Sequence, residues 1–209
     1  MCRVVIGCSF CALGTVLILR GDLGLNPWTI LNQGISIQTG LTLGQAGQLF
    51  SFSVLLACLL FKVVPGIGTC INMYAYGAFL DFYQDIVAFG VPEALSARIG
   101  LFILGTIVFS FGTYFYLSSC LGAGPKDGLM VILTKHTPLD VAVARMVLEA
   151  AAVIIGVLLG GSFGIGSLFS VLLNGPVYRT WCRIFRFDTK AAHQENFVES
   201  VRRMRRAEV

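Results

Sequence analysis

Long apolar runs, broken by short segments rich in glycine, proline and polar residues, set the pattern of this chain. A helix that crosses a bilayer needs ~20 mostly apolar residues. Six stretches fit: 4–19 with its flanks, 43–64, 67–89, 99–120, 139–159 and 165–183. The third carries Asn72, Asp81 and Asp85, and the sixth is interrupted by Pro176 and Arg179, so these two are the weakest spans. Two further apolar segments, 27–35 and 125–133, are too short. At ~1.5 Å per residue each reaches only partway across, which predicts a re-entrant or interfacial helix in each place.

The chain also matches itself. Shifted by 98 residues, Gly7 falls on Gly105, Gly14-Thr15 on Gly112-Thr113, Leu23-Gly24 on Leu121-Gly122 and Pro27 on Pro125. Gly66-Ile67-Gly68-Thr69 falls on Gly164-Ile165-Gly166-Ser167, and Gly77 on Gly175. Chance matching of apolar stretches would align Leu and Val, whereas this one aligns the residues that set backbone geometry. Each half then holds three spans. Three is odd, so the second half enters the membrane from the opposite side. The expected fold is an all-α membrane protein of about six transmembrane helices, as two inverted three-helix repeats over 1–98 and 99–185, each with a short re-entrant or interfacial helix. Residues 186–209 form a basic cytoplasmic tail. Inverted repeats with broken helices are a design of secondary transporters, a step from architecture to function that rests on analogy.

Composition agrees with a bilayer. The chain has 209 residues, 56% hydrophobic and 12% charged, with mean hydropathy +0.81. Soluble domains carry roughly 25% charged residues, and only lipid accounts for so wide a deficit. The net charge of +4 belongs to one end, since residues 179–209 hold eight of the fifteen Lys and Arg. That excludes a nucleic-acid-binding domain and points the tail at anionic lipid headgroups, with a solvated flank as the alternative. Basic residues favour the cytoplasmic side. With the N-terminus inside, Arg3, Lys62, Lys126, Lys135 and the tail lie inside, against Arg20 and Arg98 outside, so both termini are expected in the cytoplasm. The seven cysteines show no zinc spacing and no secreted disulfide frame; Cys8 and Cys11 read as small apolar side chains. No metal, cofactor or nucleophile–base set emerges, and an enzyme is not expected.

The candidate solute-binding residues lie in polar positions of the apolar segments. Asn26-Pro27-Trp28-Thr29 and Gly124-Pro125-Lys126-Asp127 each read as a cap, a proline preorganised for the first helical position, and a short helix. Such a helix end carries about half a positive charge and free N–H groups. Asn26, Thr29, Lys126 and Asp127 are therefore candidates, with a plain capped helix start as the alternative. Arg145 and Glu149 stand four apart on one helix face. Counted from Leu139, Glu149 lies ~15 Å deep, and ionisable residues at such depth face the protein interior or a water cavity. Glu149 is either a proton or cation site or the partner of Arg145 in a structural pair. The corresponding positions in the first half are Gly47 and Ser51, which breaks the symmetry and adds Ser51 to the set. Asp81 and Asn72 complete it, Asn72 reading first as an interhelical hydrogen-bonder. The Gly-x-Gly-Thr/Ser elements lack a Walker lysine and read as tight turns.

Gly24-Leu25-Asn26-Pro27-Trp28 with Asn32-Gln33-Gly34 and Thr39-Gly40-Leu41 resemble the "GLGPWDVLHQGLS…TGL" block of the YczE/YyaS/YitT-type bacterial membrane proteins. Leu121-Gly122-Ala123-Gly124-Pro125-Lys126-Asp127-Gly128-Leu129-Met130 resembles their "LGAGPRDGLM". Arg145 and Glu149 match their Arg-x-x-x-Glu, and 160–166 their "GGxxGxGT". The sequence departs at Asn26, Thr29 and Asn32, where the pattern has Gly, Asp and His. The resemblance implies a multi-pass protein of the bacterial plasma membrane and assigns no activity. The expected function is a small secondary transporter or exporter of a small solute, proton-coupled through Glu149. The alternative is a non-transporting accessory or regulatory partner of another membrane protein, and a homo-oligomer remains open.

Overall fold

The computed structural model describes residues 1–122 and 124–187. Among the described residues every regular element is a helix. These are α1 (Cys2–Gly21), α2 (Pro27–Thr39), α3 (Leu43–Leu60), α4 (Ile67–Ile86), α5 (Leu95–Leu117), α6 (Pro125–His136), α7 (Val141–Leu158) and α8 (Ile165–Ile184). Helices α1, α3, α5 and α7 are long and apolar enough to cross a membrane. Helices α4 and α8 have 20 residues each, but Asn72, Asp81 and Asp85 in one, and Asn174 and Arg179 in the other, dilute their apolar character. Helices α2 and α6 have 13 and 12 residues and fall on the segments read as too short to span. Most of the expected basic tail, from residue 188 onward, lies outside the described residues.

Helix boundaries repeat along the chain. Helices α3 and α7 both start and end 98 residues apart, as do α4 and α8, and α2 and α6 start 98 apart. Local chemistry explains the starts. Proline stands at the first position of α2 and α6. At α3, Thr42 and Gln45 satisfy each other's backbone N–H in a capping box.

Helices α1 and α5 form the centre, and glycine lets their backbones touch. A Cβ on Gly14 would stand 2.7 Å from the Gly105 carbonyl oxygen, and one on Gly105 2.7 Å from that of Gly14. Gly7 meets the Gly112 carbonyl at 2.9 Å, and Gly112 that of Gly7 at 2.7 Å, by the same measure. The loops dock likewise. Gly166 N donates to the Leu23 carbonyl at 2.7 Å, and Gly68 N donates to the Leu121 carbonyl at 2.8 Å. Next to those carbonyls, Gly24 and Gly122 have φ of 123° and 117°, a backbone that side chains rarely adopt. Every one of these contacts recurs with the two partners exchanged between halves.

Around this centre α4 lies on α1 and α8 on α5, while α2 lies on α7 and α6 on α3. One packing has no counterpart. Helix α3 packs along α4, but among the described residues α7 and α8 have no equivalent packing. Gly77 on α4 sits against α3, where its Cβ would stand 2.7 Å from the Gly44 carbonyl oxygen. Gly175, its equivalent on α8, has nothing within 4 Å.

Lipid-embedded helices associate largely through close packing of small residues. Gly14→Leu should therefore push α1 off α5, lowering the thermal midpoint of the detergent-purified protein by on the order of 10 °C or preventing its recovery. Gly100→Leu, on α5 where nothing lies within 4 Å, should leave the midpoint unchanged in the same assay.

Candidate functional site

The two short helices supply the first components. At α2, the Asn26 side-chain oxygen accepts from Thr29 N and from Thr29 Oγ1, both at 3.0 Å. Both residues are buried, so this helix end is closed by a neutral amide. At α6, Gly124 N donates to Asp127 Oδ2 at 3.0 Å, so a carboxylate occupies the corresponding end. The two ends approach each other: Lys126 Nζ lies 5.5 Å from the centre of the Trp28 ring, in the range of a cation–π contact. Trp28 and Lys126 occupy the same position in the two halves, so the short helices meet through equivalent residues.

Helix α7 adds the charged pair. Arg145 Nε donates to Glu149 Oε1 at 3.0 Å, with the arginine side chain 71% exposed and the glutamate 20%. The carboxylate thus faces inward and the guanidinium outward. Lys126 lies within electrostatic reach of Asp127, Glu149 and Arg145, and Asp127 within reach of Arg145. Helix α6 packs on α7, so two cations and two anions lie on neighbouring helices. A cleft of about 600 Å³ opens from Arg145 between α7 and α8. Arg179 and Arg183 line it from α8 and Arg186 from just past its end, together with Tyr178 and Gly175.

The remaining candidates lie in the first half. Asp81 Oδ1 accepts from Gly44 N at 2.8 Å, and its Oδ2 accepts from Thr42 Oγ1 at 2.5 Å. Both oxygens thus close the N-terminus of α3. Asn72 Nδ2 donates to Cys8 Sγ at 3.2 Å, tying α4 to α1. Ser51 is half-buried on α3. Helix α6 packs on that helix, but Ser51 makes no side-chain hydrogen bond among the described residues. Arg145, Glu149, Lys126 and Asp127 thus come together; Asp81 and Asn72 are bound elsewhere. The sequence reading passed over a buried network in which Thr15 Oγ1 donates to the Cys11 carbonyl and meets Tyr76 OH, each at 2.9 Å. It also counted these arginines as a basic flank, although 179 and 183 stand four apart on α8 and 186 follows just past the helix end. Among the described residues no group of three or more His, Cys, Asp or Glu could hold a metal ion.

The repeated glycines, the proline-started short helices and the Arg145–Glu149 pair are features of the whole chain, and comparison with known proteins matches on the same scale. A family model described as "Family of unknown function (DUF6198)" matches residues 1–183. The chain belongs to that family. It is 37% identical over 176 residues to an "Uncharacterized protein" of Haemophilus influenzae, covering 84% of this chain and 80% of the relative. It is 32% identical over 178 residues to the "Uncharacterized membrane protein YczE" of Bacillus subtilis, covering 83% and 80%. A third relative, YyaS of the same organism, is 27% identical over 182 residues, covering 86% and 90%. These relatives bear out the resemblance carried by the two proline motifs. The word "membrane" in one relative's name agrees with four helices able to cross a bilayer. No solved structure matches the DUF6198 chain.

Removing the carboxylate that closes α3 exposes unpaired backbone donors. Asp81→Ala should destabilise the protein by about 1–2 kcal/mol, read as a lower thermal midpoint in detergent. Asp85→Ala, at an exposed position, should change it little.

Proposed function

We propose that this DUF6198 protein is a small secondary transporter or exporter of a small solute, built from two inverted halves in a bacterial plasma membrane. In this arrangement the half holding α1, α3 and α4 and the half holding α5, α7 and α8 enter the bilayer from opposite sides, with α2 and α6 entering partway. The exchange of partners in the glycine and loop contacts supports a two-fold relation between halves, because a self-complementary interface repeats every contact with its partners swapped. The odd number of spans per half makes that relation an inversion. The excess of basic residues at one set of ends supports a topology with both termini in the cytoplasm.

The observation that carries the transport proposal is the difference between the halves. Helix α3 is closed on α4, with Gly77 against Gly44 and Asp81 bound to Thr42, while α7 stands open from α8 beside a cleft. Two halves of one design in two arrangements supply what alternating access requires, one gate shut and the other open. The opposite state would open α3–α4 and shut α7–α8. Small residues are already in place for that, since Ala142 and Gly175 correspond to Gly44 and Gly77. Asp140 and Arg179 correspond to Thr42 and Asp81, so closure would bring an oppositely charged pair together. Glu149, inward-facing and beside Lys126 and Asp127, would carry the coupling proton or cation. The solute would bind between it and the short helices.

The gates can be tested without knowing the solute. In a background lacking the native cysteines, Asp140→Cys with Arg179→Cys should form a disulfide on oxidation, and the locked protein should exchange the amides of 43–48 with deuterium faster than the reduced one. No disulfide, or unchanged exchange in the locked protein, would reject the coupled gates. Glu149→Gln should abolish the pH dependence of solute flux in liposomes; flux that stays equally pH-dependent would remove Glu149 from the coupling role.

A further inference from the structure

We propose that the cleft between α7 and α8 binds a phosphate group, carried either by an acidic lipid headgroup or by a soluble phosphate compound. Four guanidinium groups, from Arg145, Arg179, Arg183 and Arg186, line one cleft of about 600 Å³. Among the described residues the one carboxylate paired with any of them is Glu149, which takes a single bond from Arg145 Nε. Arg179, Arg183 and Arg186 make no ion pair and no side-chain hydrogen bond among the described residues. Like charges gathered between two helices repel one another, and an anion in their midst relieves that repulsion. Arginine suits phosphate in particular, because its planar fork presents paired N–H donors to two oxygens at once.

The repeat shows that these arginines are particular to the second half. Their equivalents are Gly47 for Arg145, Asp81 for Arg179, Asp85 for Arg183 and Ala88 for Arg186. Where the α4 position is Asp81, its carboxylate draws α3 close through Thr42 and Gly44. Where the α8 position is Arg179, facing Arg145 across the gap, the helices stay apart. The cleft is therefore a consequence of the charge change, and its size fits a headgroup or a small organic phosphate better than a bare ion. It lies toward the start of α7 and the end of α8, ends that the proposed topology puts at one face of the bilayer. Basic pockets between helices near a membrane face are suited to anionic headgroups.

The full-length protein in nanodiscs of phosphatidylcholine provides the test, with thermal stability followed by tryptophan fluorescence. In one arm glycerol 3-phosphate is titrated at constant ionic strength against chloride. In the other, phosphatidylglycerol is added in steps to the disc. A saturable rise in stability in the first arm identifies a soluble phosphate compound as the ligand, and a rise confined to the second identifies a lipid headgroup. Arg179→Gln with Arg183→Gln should weaken the responding arm by roughly tenfold or more. The pair Arg179→Lys with Arg183→Lys, which keeps the charge and loses the fork, should fall between. Arg98→Gln, bound to Asp22 at the start of α5, should respond as the unaltered protein does. No response in either arm, or an unchanged response in the double glutamine variant, would overturn the proposal. Binding is read without flux, so its failure and that of the transport proposal are separate outcomes.

Discussion

Backbone contact between α1 and α5 holds the structure together. Water drives soluble helices together by burying apolar surface, but lipid is as apolar as leucine and gives no such drive. What remains is dispersion and close approach, which glycine alone permits at the four positions Gly7, Gly14, Gly105 and Gly112. A methyl group at any of them would meet the backbone of the opposite helix. Once these helices touch, the loops that follow them are in place to dock. The carbonyls of Leu23 and Leu121 then receive Gly166 N and Gly68 N, which seats α8 and α4. The short helices follow from the same loops, and their ends meet at Trp28 and Lys126.

Against that shared frame, the differences between halves become informative. Thr29 and Asp127, Trp28 and Lys126, Gly47 and Arg145, Ser51 and Glu149, Asp81 and Arg179 occupy equivalent positions. In nearly every case the second half carries the charge. The first half uses Asp81 to close a helix end. The second half carries Lys126, Asp127, Arg145 and Glu149 on neighbouring helices and leaves an arginine-lined cleft beside them. The two halves thus share helix boundaries and contact points and differ in the polar chemistry they carry.

Much of the scaffold was legible in the sequence. Proline at 27 and 125 marked both short helices, and the 98-residue self-match anticipated helix boundaries that recur at that interval. Its glycines proved to be the contact points of α1 and α5, because a backbone that must approach another closely admits no other residue. The Arg145–Glu149 bond followed from i, i+4 spacing. Less could be read where the outcome depends on distant segments. That Asp81 would cap α3 needs the fold to bring residue 81 beside residue 44. The stacking of Lys126 on Trp28 needs knowledge of which equivalent residues face each other. The open α7–α8 gap was invisible for a further reason, since Ala142 and Gly175 are as small as a closed contact demands.

Inversion of the halves is the claim on which the transport proposal stands, and sidedness tests it most directly. Single cysteines placed at Thr42 and at Asp140 in a cysteine-free background occupy equivalent helix starts. A membrane-impermeant maleimide applied to right-side-out vesicles should label Thr42→Cys and spare Asp140→Cys, with the pattern reversed in inside-out vesicles. Labelling of both positions from the same side would contradict the account.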